Sequence, residues 1–343
     1  MKNFNLCLLG LGGVGRALVR LLWAKREALR EDFGVEWRVT GVATRSLGWL
    51  AAPEGFTLEE LTPPARPARR VPPAREDLRA WLDAARCDVL FETTPLEPLT
   101  GEPAASYARA ALEHGAHVVT ANKGPVVHAY RELSALARAR GRRFLFEATV
   151  AEFPVFSLFR GSLPAARLLA FSGVLNSTTT VILDGVAAGL TFEGGVRRAQ
   201  ESGVAEADPS HDVEGWDAAV KACALANVLM GAGLGLGDVG REGLGGLTAA
   251  EVRAAHAAGT PYRLVARARR GEGGRVSASV RPERVEPRGP FGAVTGTTLA
   301  VHYELDVLPG LTVVAHDPDL NSTAYGLLAD FLDIARRGGA EEA

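Results

Sequence analysis

The apolar positions begin as a short continuous run at residues 3–9, the signature of a buried strand. From 14 to 29 their spacing changes to three and four, with Leu18, Leu21, Leu22 and Leu29 falling on one side, which predicts a helix. Strand-type runs recur at 37–43, 88–91, 117–120 and 143–147, and helix-type spacing fills 102–114 and 129–140. Between 50 and 75, six prolines among many arginines predict an irregular surface excursion. Strands alternating with helices from the first residue predict an α/β domain over 1–150, a doubly wound parallel sheet of the Rossmann type.

Beyond residue 150 the rhythm changes. A strand is expected at 167–175, helices from 177 and from 193, a long helix over 212–230, strands at 263–269, 275–280 and 299–303, and a last helix over 323–336. These predict a second, α+β domain over 151–304, with 305–343 returning to complete the first. The glycine-rich stretch 231–246 reads as a loop.

Composition narrows the class of partner. The 343 residues are 47% apolar and 23% charged, ordinary for a globular chain with room for two domains. With 38 basic and 40 acidic residues the formal net charge is −2, so no overall field draws the chain to nucleic acid or an anionic membrane. No apolar run reaches membrane-spanning length and the start lacks a cleavage site, so a cytoplasmic location is expected. Cys7, Cys87 and Cys223 are scattered through apolar stretches and read as reduced core thiols. Only Lys2, Lys25, Lys123 and Lys221 are lysines, and every other basic residue is arginine.

The candidate chemistry lies where the strands end. Gly10-Leu11-Gly12-Gly13-Val14-Gly15 matches GxGxxG between first strand and first helix, where glycines let the backbone approach a pyrophosphate at a helix N-terminus. The second strand ends in Ala43-Thr44-Arg45-Ser46, with no carboxylate for a ribose 2′-hydroxyl, so an arginine among hydroxyls favours NADP over NAD. The plainer reading of Arg45 is a solvated loop cation. Thr93-Thr94-Pro95 and Thr120-Ala121-Asn122-Lys123-Gly124-Pro125 follow the third and fourth strands, where ligands bind in open parallel sheets. Lys123 is expected there in a tight turn. In the segment 201–221, Asp217 and Lys221 are four apart and share a helix face. An exposed pair of that kind is worth only about 0.3–0.5 kcal/mol. The helix continues as Ala222-Cys223-Ala224-Leu225-Ala226, however, and a lysine buried opposite carboxylates is suited to acid–base work.

Taken in order, these motifs resemble homoserine dehydrogenase over almost the whole chain. They are the glycine loop, 120–125 as the family's ANKGP-type turn, 146–150 as its EATV segment, 173–183 as GVLNSTTTVIL, and 203–221 as GxxExDPxxDxxGxDxxxK. The resemblance implies NAD(P)-dependent interconversion of L-homoserine and L-aspartate 4-semialdehyde by a homodimer whose second domain carries both catalysis and dimerisation. It implies that Lys221 passes the proton, that Lys123 polarises the carbonyl beside the nicotinamide, and that Glu206 and Asp217, with Asp212 and Thr178, hold the substrate. Gly203 would join Gly10–Gly15, Thr44–Ser46, Thr93, Thr94 and Lys123 at the cofactor. A zwitterionic substrate also needs donors for its carboxylate, and Asn176 to Thr180, at a strand end before a helix, offer hydroxyls and free N–H groups for it, the plainer reading being an ordinary helix cap. In relatives Glu147 and backbone carbonyls near Val150 bind a monovalent cation, Na+ or K+. The chain departs from the family's pattern at Val204, commonly aromatic, at 151–154, which is one residue short, and at 316–321, which replaces a glycine-alanine-glycine turn. No C-terminal regulatory domain is expected.

Two other readings compete. Aspartate-semialdehyde dehydrogenase needs a nucleophilic cysteine on an exposed turn, whereas Cys223 falls in a helix and Cys7 in the first strand. A non-catalytic nucleotide sensor of the same fold predicts a degraded substrate site, whereas Glu206, Asp217 and Lys221 are all present.

Overall fold

The computed structural model describes residues 1–62, 77–150 and 154–337. They form two compact units, Met1–Pro154 with Asp319–Ala343, and Val155–Pro318.

The first unit runs β1 (Lys2–Leu9), α1 (Gly13–Ala24), α2 (Arg26–Phe33), β2 (Val35–Thr44), β3 (Gly48–Ala51), α3 (Leu58–Leu61), α4 (Leu78–Ala85), β4 (Val89–Glu92), α5 (Ala104–His114), β5 (His117–Thr120), α6 (Lys123–Ala139) and β6 (Phe144–Leu145). The strand order is β3-β2-β1-β4-β5-β6. Every neighbouring pair is parallel except the hairpin of β2 with β3. Chain order reverses on either side of β1, which is the point where a doubly wound sheet opens a crevice. The continuous burial of β4, of nearly all of β5 and of β1 from Leu6 to Leu9 reflects cover on both faces.

Three expectations change here. The helix expected over 14–29 is interrupted at Lys25, with α2 starting afresh. The excursion at 50–75 contains the end of β3 and the helical turn α3, which Thr57 closes with a capping box; residues 63–76 lie outside the described residues. The helix expected from 129 already begins at Lys123, because the Asn122 side chain accepts the Gly124 N–H and caps it.

The second unit runs α7 (Phe156–Gly161), β7 (Leu168–Val174), α8 (Ser177–Ala187), α9 (Phe192–Glu201), α10 (Ser210–Val213), α11 (Trp216–Leu229), β8 (Val239–Arg241), α12 (Ala249–Ala257), β9 (Tyr262–Arg270), β10 (Val276–Arg284), β11 (Leu299–Leu305) and β12 (Leu311–Ala315). Its sheet, β12-β11-β7-β9-β10-β8, is antiparallel apart from β8 with β10. The helix expected over 212–230 is broken at Gly215, whose φ of 82° ends α10 and starts α11. The loop expected at 231–246 contains β8.

The return to the first unit begins at Asp319 rather than 305, because β12 still pairs with β11. The last helix, α13 (Leu320–Arg337), packs in the first unit on α1 and on the turn 147–149.

Candidate active site

At the cofactor end, each motif glycine has its own reason. Gly10 has φ of 100°, and a Cβ there would lie 2.6 Å from the Thr93 carbonyl oxygen. At Gly15 a Cβ would lie 2.7 Å from the Gly10 carbonyl, so this glycine lets α1 close onto the loop. Gly12, the residue that caps α1, has nothing within 4 Å of its would-be Cβ. Two glycines are therefore filled against the protein, and the third faces open space beside N–H groups that the helix leaves without partners. That cradle fits a dinucleotide pyrophosphate. Leu11 and Val14 pack into the first unit's core, and Gly13 lies against Leu320, whose Cδ1 would be 3.2 Å from a Cβ. In the 316–321 segment Asp319 accepts the N–H groups of Asn321 and Ser322 at 2.9 Å.

Thr44, Arg45 and Ser46 stand at the tip of the β2–β3 hairpin, with Arg45 exposed and the two hydroxyls 3.3 Å apart. Thr93 donates through Oγ1 to the Gly10 carbonyl at 3.1 Å, tying the third strand's loop to the glycine loop. Lys123 is the first residue of α6 rather than part of a tight turn, and sits beyond the carboxyl end of β5.

The second unit assembles the acid–base group. Asn176 ends the β7 segment and caps α8, accepting the Thr179 N–H at 2.9 Å through Oδ1. Its Nδ2 donates to Asp212 Oδ1 at 2.7 Å and to Asp217 Oδ2 at 3.0 Å. One buried amide thus holds two carboxylates together. Lys221 Nζ lies 2.9 Å from Asp217 Oδ2 and donates to the Leu175 carbonyl at 2.6 Å, and its side chain is only 12% exposed. The exposed surface ion pair is therefore the wrong description of this pair. Burial, and then the neighbouring charge of Asp217, raises the Asp212 carboxyl above the usual carboxylate range, against the hydrogen bond from Asn176 and the charge of Lys221.

Thr178 Oγ1 donates to the Val204 carbonyl at 3.2 Å, anchoring the segment that carries Gly203 and Glu206. Gly203 has φ of 73°, and Glu206 is exposed. The hydroxyls of Ser177, Thr178, Thr179 and Thr180 donate to backbone carbonyls. They are therefore not spare hydroxyl donors for a substrate carboxylate.

Glu147 and Val150 are both buried at the start and end of the turn after β6, and the Glu147 N–H donates to buried Asp330 at 2.7 Å. Among the described residues no group of three or more His, Cys, Asp or Glu side chains could hold a metal. Residues 151–153 of the shortened turn lie outside the described residues. All three cysteines are buried and free.

A family model for the homoserine dehydrogenase NAD-binding domain matches residues 10–147, and one for homoserine dehydrogenase itself matches 154–332. The chain is 34% identical over 340 residues to an NAD(+)-dependent homoserine dehydrogenase of Pseudomonas canavaninivorans, covering 97% of both chains. The chain belongs to the homoserine dehydrogenase family. A homoserine dehydrogenase of Methanocaldococcus jannaschii is 30% identical, with 96% of this chain and 98% of that one covered. The crystal structure of a homoserine dehydrogenase from Thiobacillus denitrificans superposes with a TM-score of 0.84 at 30% identity, over 99% of this chain and 75% of that one. No helix among the described residues is long and apolar enough to cross a membrane.

Sequence reasoning overlooked Glu92 and Asn122, and it read Asn176 as a substrate donor. Their signal was only positional: a carboxylate ending an otherwise apolar strand, and two asparagines just before helices.

Proposed function

We propose that the reaction of homoserine dehydrogenase is divided in this chain between its two units. The first unit holds the dinucleotide through Gly10–Gly15, with Thr93, Thr94 and Lys123 towards the nicotinamide. When bound, the nicotinamide supplies or accepts the hydride. The second unit holds the zwitterionic substrate, with Glu206 and Asp217 towards its amino and hydroxyl ends and Asp212 and Thr178 supporting them.

In the reducing direction the aldehyde oxygen gathers negative charge. The Lys221 ammonium neutralises that charge and then transfers a proton to the oxygen, and Asp217 keeps it charged and aimed until then. In the oxidising direction the neutral amine takes the hydroxyl proton. The observation that carries this reading is a nearly buried lysine 2.9 Å from Asp217, next to a second carboxylate clamped by the same asparagine.

NADP is the cofactor we propose over NAD, on the strength of Arg45 between two hydroxyls and the absence of a carboxylate at the end of β2. A homodimer formed through the second unit's sheet follows the family's pattern. Part of that sheet's outer face is covered by Val285, Phe291 and Val294, and the rest carries the ion pairs Arg267–Glu283 and Arg269–Glu304.

A spectrophotometric assay with L-homoserine and NADP or NAD tests the reading. Wild type is expected to reduce cofactor, and Lys221→Ala to lose about 10²–10⁴-fold in kcat. A variant that keeps most of its kcat removes Lys221 from proton transfer. In the same assay Arg45→Ala raises KM for NADP well above its effect on NAD, and an equal effect on both would defeat the 2′-phosphate assignment.

A further inference from the structure

Glu92 is the last residue of β4, fully buried at the carboxyl edge of the first unit's sheet. A carboxylate in such a place is tolerated only with its oxygens satisfied. Oε1 accepts the Thr94 backbone N–H at 2.8 Å and the Thr94 hydroxyl, and Oε2 accepts the Thr120 hydroxyl at 2.6 Å. Thr120 Oγ1 in turn accepts the Asn122 N–H at 2.9 Å. The Asn122 side chain donates to the Thr94 and Pro95 carbonyls at 3.2 Å, and accepts the Gly124 N–H at 2.9 Å. The bonds close into a ring from Glu92 through Thr94, Asn122 and Thr120 back to Glu92. That ring joins the loop after β4 to the loop after β5 and to the first turn of α6, where Lys123 sits.

The side of the sheet matters. A pyrophosphate on the α1 N-terminus lies beside β1, so the two halves of a dinucleotide extend to either side of that strand. The β2 side ends in Thr44, Arg45 and Ser46, which suit the adenosine ribose. The β4 and β5 ends are left for the nicotinamide riboside. We infer that Glu92 is a positioning residue for the nicotinamide half of the cofactor, holding the two loops beneath it in one fixed register. This deepens the reading of the first unit as the dinucleotide-binding unit and rests on it.

An acceptor is required at Oε1, because the Thr94 backbone N–H cannot reverse its direction, whereas the Thr120 hydroxyl at Oε2 can donate or accept. Burial pushes the Glu92 carboxyl up, and the hydrogen bonds from Thr120, Thr94 and Asn122 oppose that push. Glutamine keeps the shape and the acceptor for Thr94, but it removes the charge and forces the Thr120 hydroxyl proton to another acceptor, which loses the charge-assisted bond on that side of the ring.

The test compares two ligands that differ only in the nicotinamide. Binding of the reduced dinucleotide is followed by fluorescence titration, and binding of ADP-ribose, or its 2′-phosphate, by calorimetry, on wild type and Glu92→Gln. The variant is expected to bind the dinucleotide about tenfold more weakly, the effect of one lost hydrogen bond to a charged group, and the fragment within about twofold. Equal weakening of both ligands would reduce Glu92 to a support of the fold, and unchanged binding of both would also overturn the inference. Thr120→Val, which removes only one hydroxyl, carries the same comparison should Glu92→Gln fail to fold, with the same selective loss expected. If wild type binds both ligands but does not oxidise homoserine, the proposed activity falls, while the ratio of the two affinities still decides the role of Glu92.

Discussion

Lys221 shows what a single residue contributes. Arginine supplies nearly every other cation in the chain, and its guanidinium stays charged at any working pH, so it cannot deliver a proton. Asp217 and the Leu175 carbonyl hold the Lys221 ammonium in a nearly buried site, and the proton transfer we propose there needs a cation of this kind, one that can give up its proton. Asp212 beside it carries the opposite burden. Its carboxyl is raised by burial and by Asp217, so the folded state keeps a proton that the unfolded state has released. Stability therefore falls as pH rises from the ordinary carboxylate value through the raised one. Asp212→Asn retains an oxygen for the Asn176 amide and removes the titration. Urea unfolding at pH 4 and at pH 7 should show the variant gaining on wild type at the higher pH, and an equal difference at both would contradict this account.

Among the elements, the loop from β1 into α1 separates folding from binding at neighbouring positions. Gly12→Ala adds a methyl group where nothing lies within 4 Å, with φ of −79° that alanine accepts. It should leave the melting temperature within a degree or two of wild type and raise KM for the cofactor. Gly10→Ala forces φ of 100° on alanine and drives its Cβ against Thr93, so it should destabilise the fold by about 2 kcal/mol or more. Thermal melts with cofactor titrations distinguish the two, and similar melts for both variants would refute the distinction. The same scale shows what the pattern of apolar residues can miss. The strands β3, β8 and β12 are short and interrupted by glycine or polar residues, so pairing with a longer neighbour makes them strands. Helix α11 was legible as helical, but its break from α10 depended on Gly215 taking a left-handed conformation next to the Glu242 carbonyl.

In the whole molecule, the chain leaves the first unit at residue 154 and returns to it at 319, so the dinucleotide-binding unit is closed by a helix far away in sequence. Phe331 of α13 makes edge contacts with Phe4 and Phe91, and Asp330 receives the Glu147 N–H. Truncation before α13 would uncover that core. For the assembly, light scattering is expected to give twice the 36.2 kDa chain mass. Replacing Arg267 and Arg269 on the sheet's outer face by glutamate sets like charges against Glu283 and Glu304, and should leave a dimer only if that face is not the interface.

The sequence by itself determined the alternation of strands and helices, the glycine loop, the lack of a carboxylate at the end of β2, and the spacing that puts Asp217 and Lys221 on one helix face. All of these are local, set by periodicity and by backbone freedom within a few residues. Only the tertiary structure decided which groups meet across the chain. Asn176 reaches Asp212 and Asp217 from another element, and Glu92 joins loops whose residues are 28 apart in sequence at Thr120. A buried polar side chain must find its hydrogen-bond partners in three dimensions, and nothing in its own sequence neighbourhood says which partners those are.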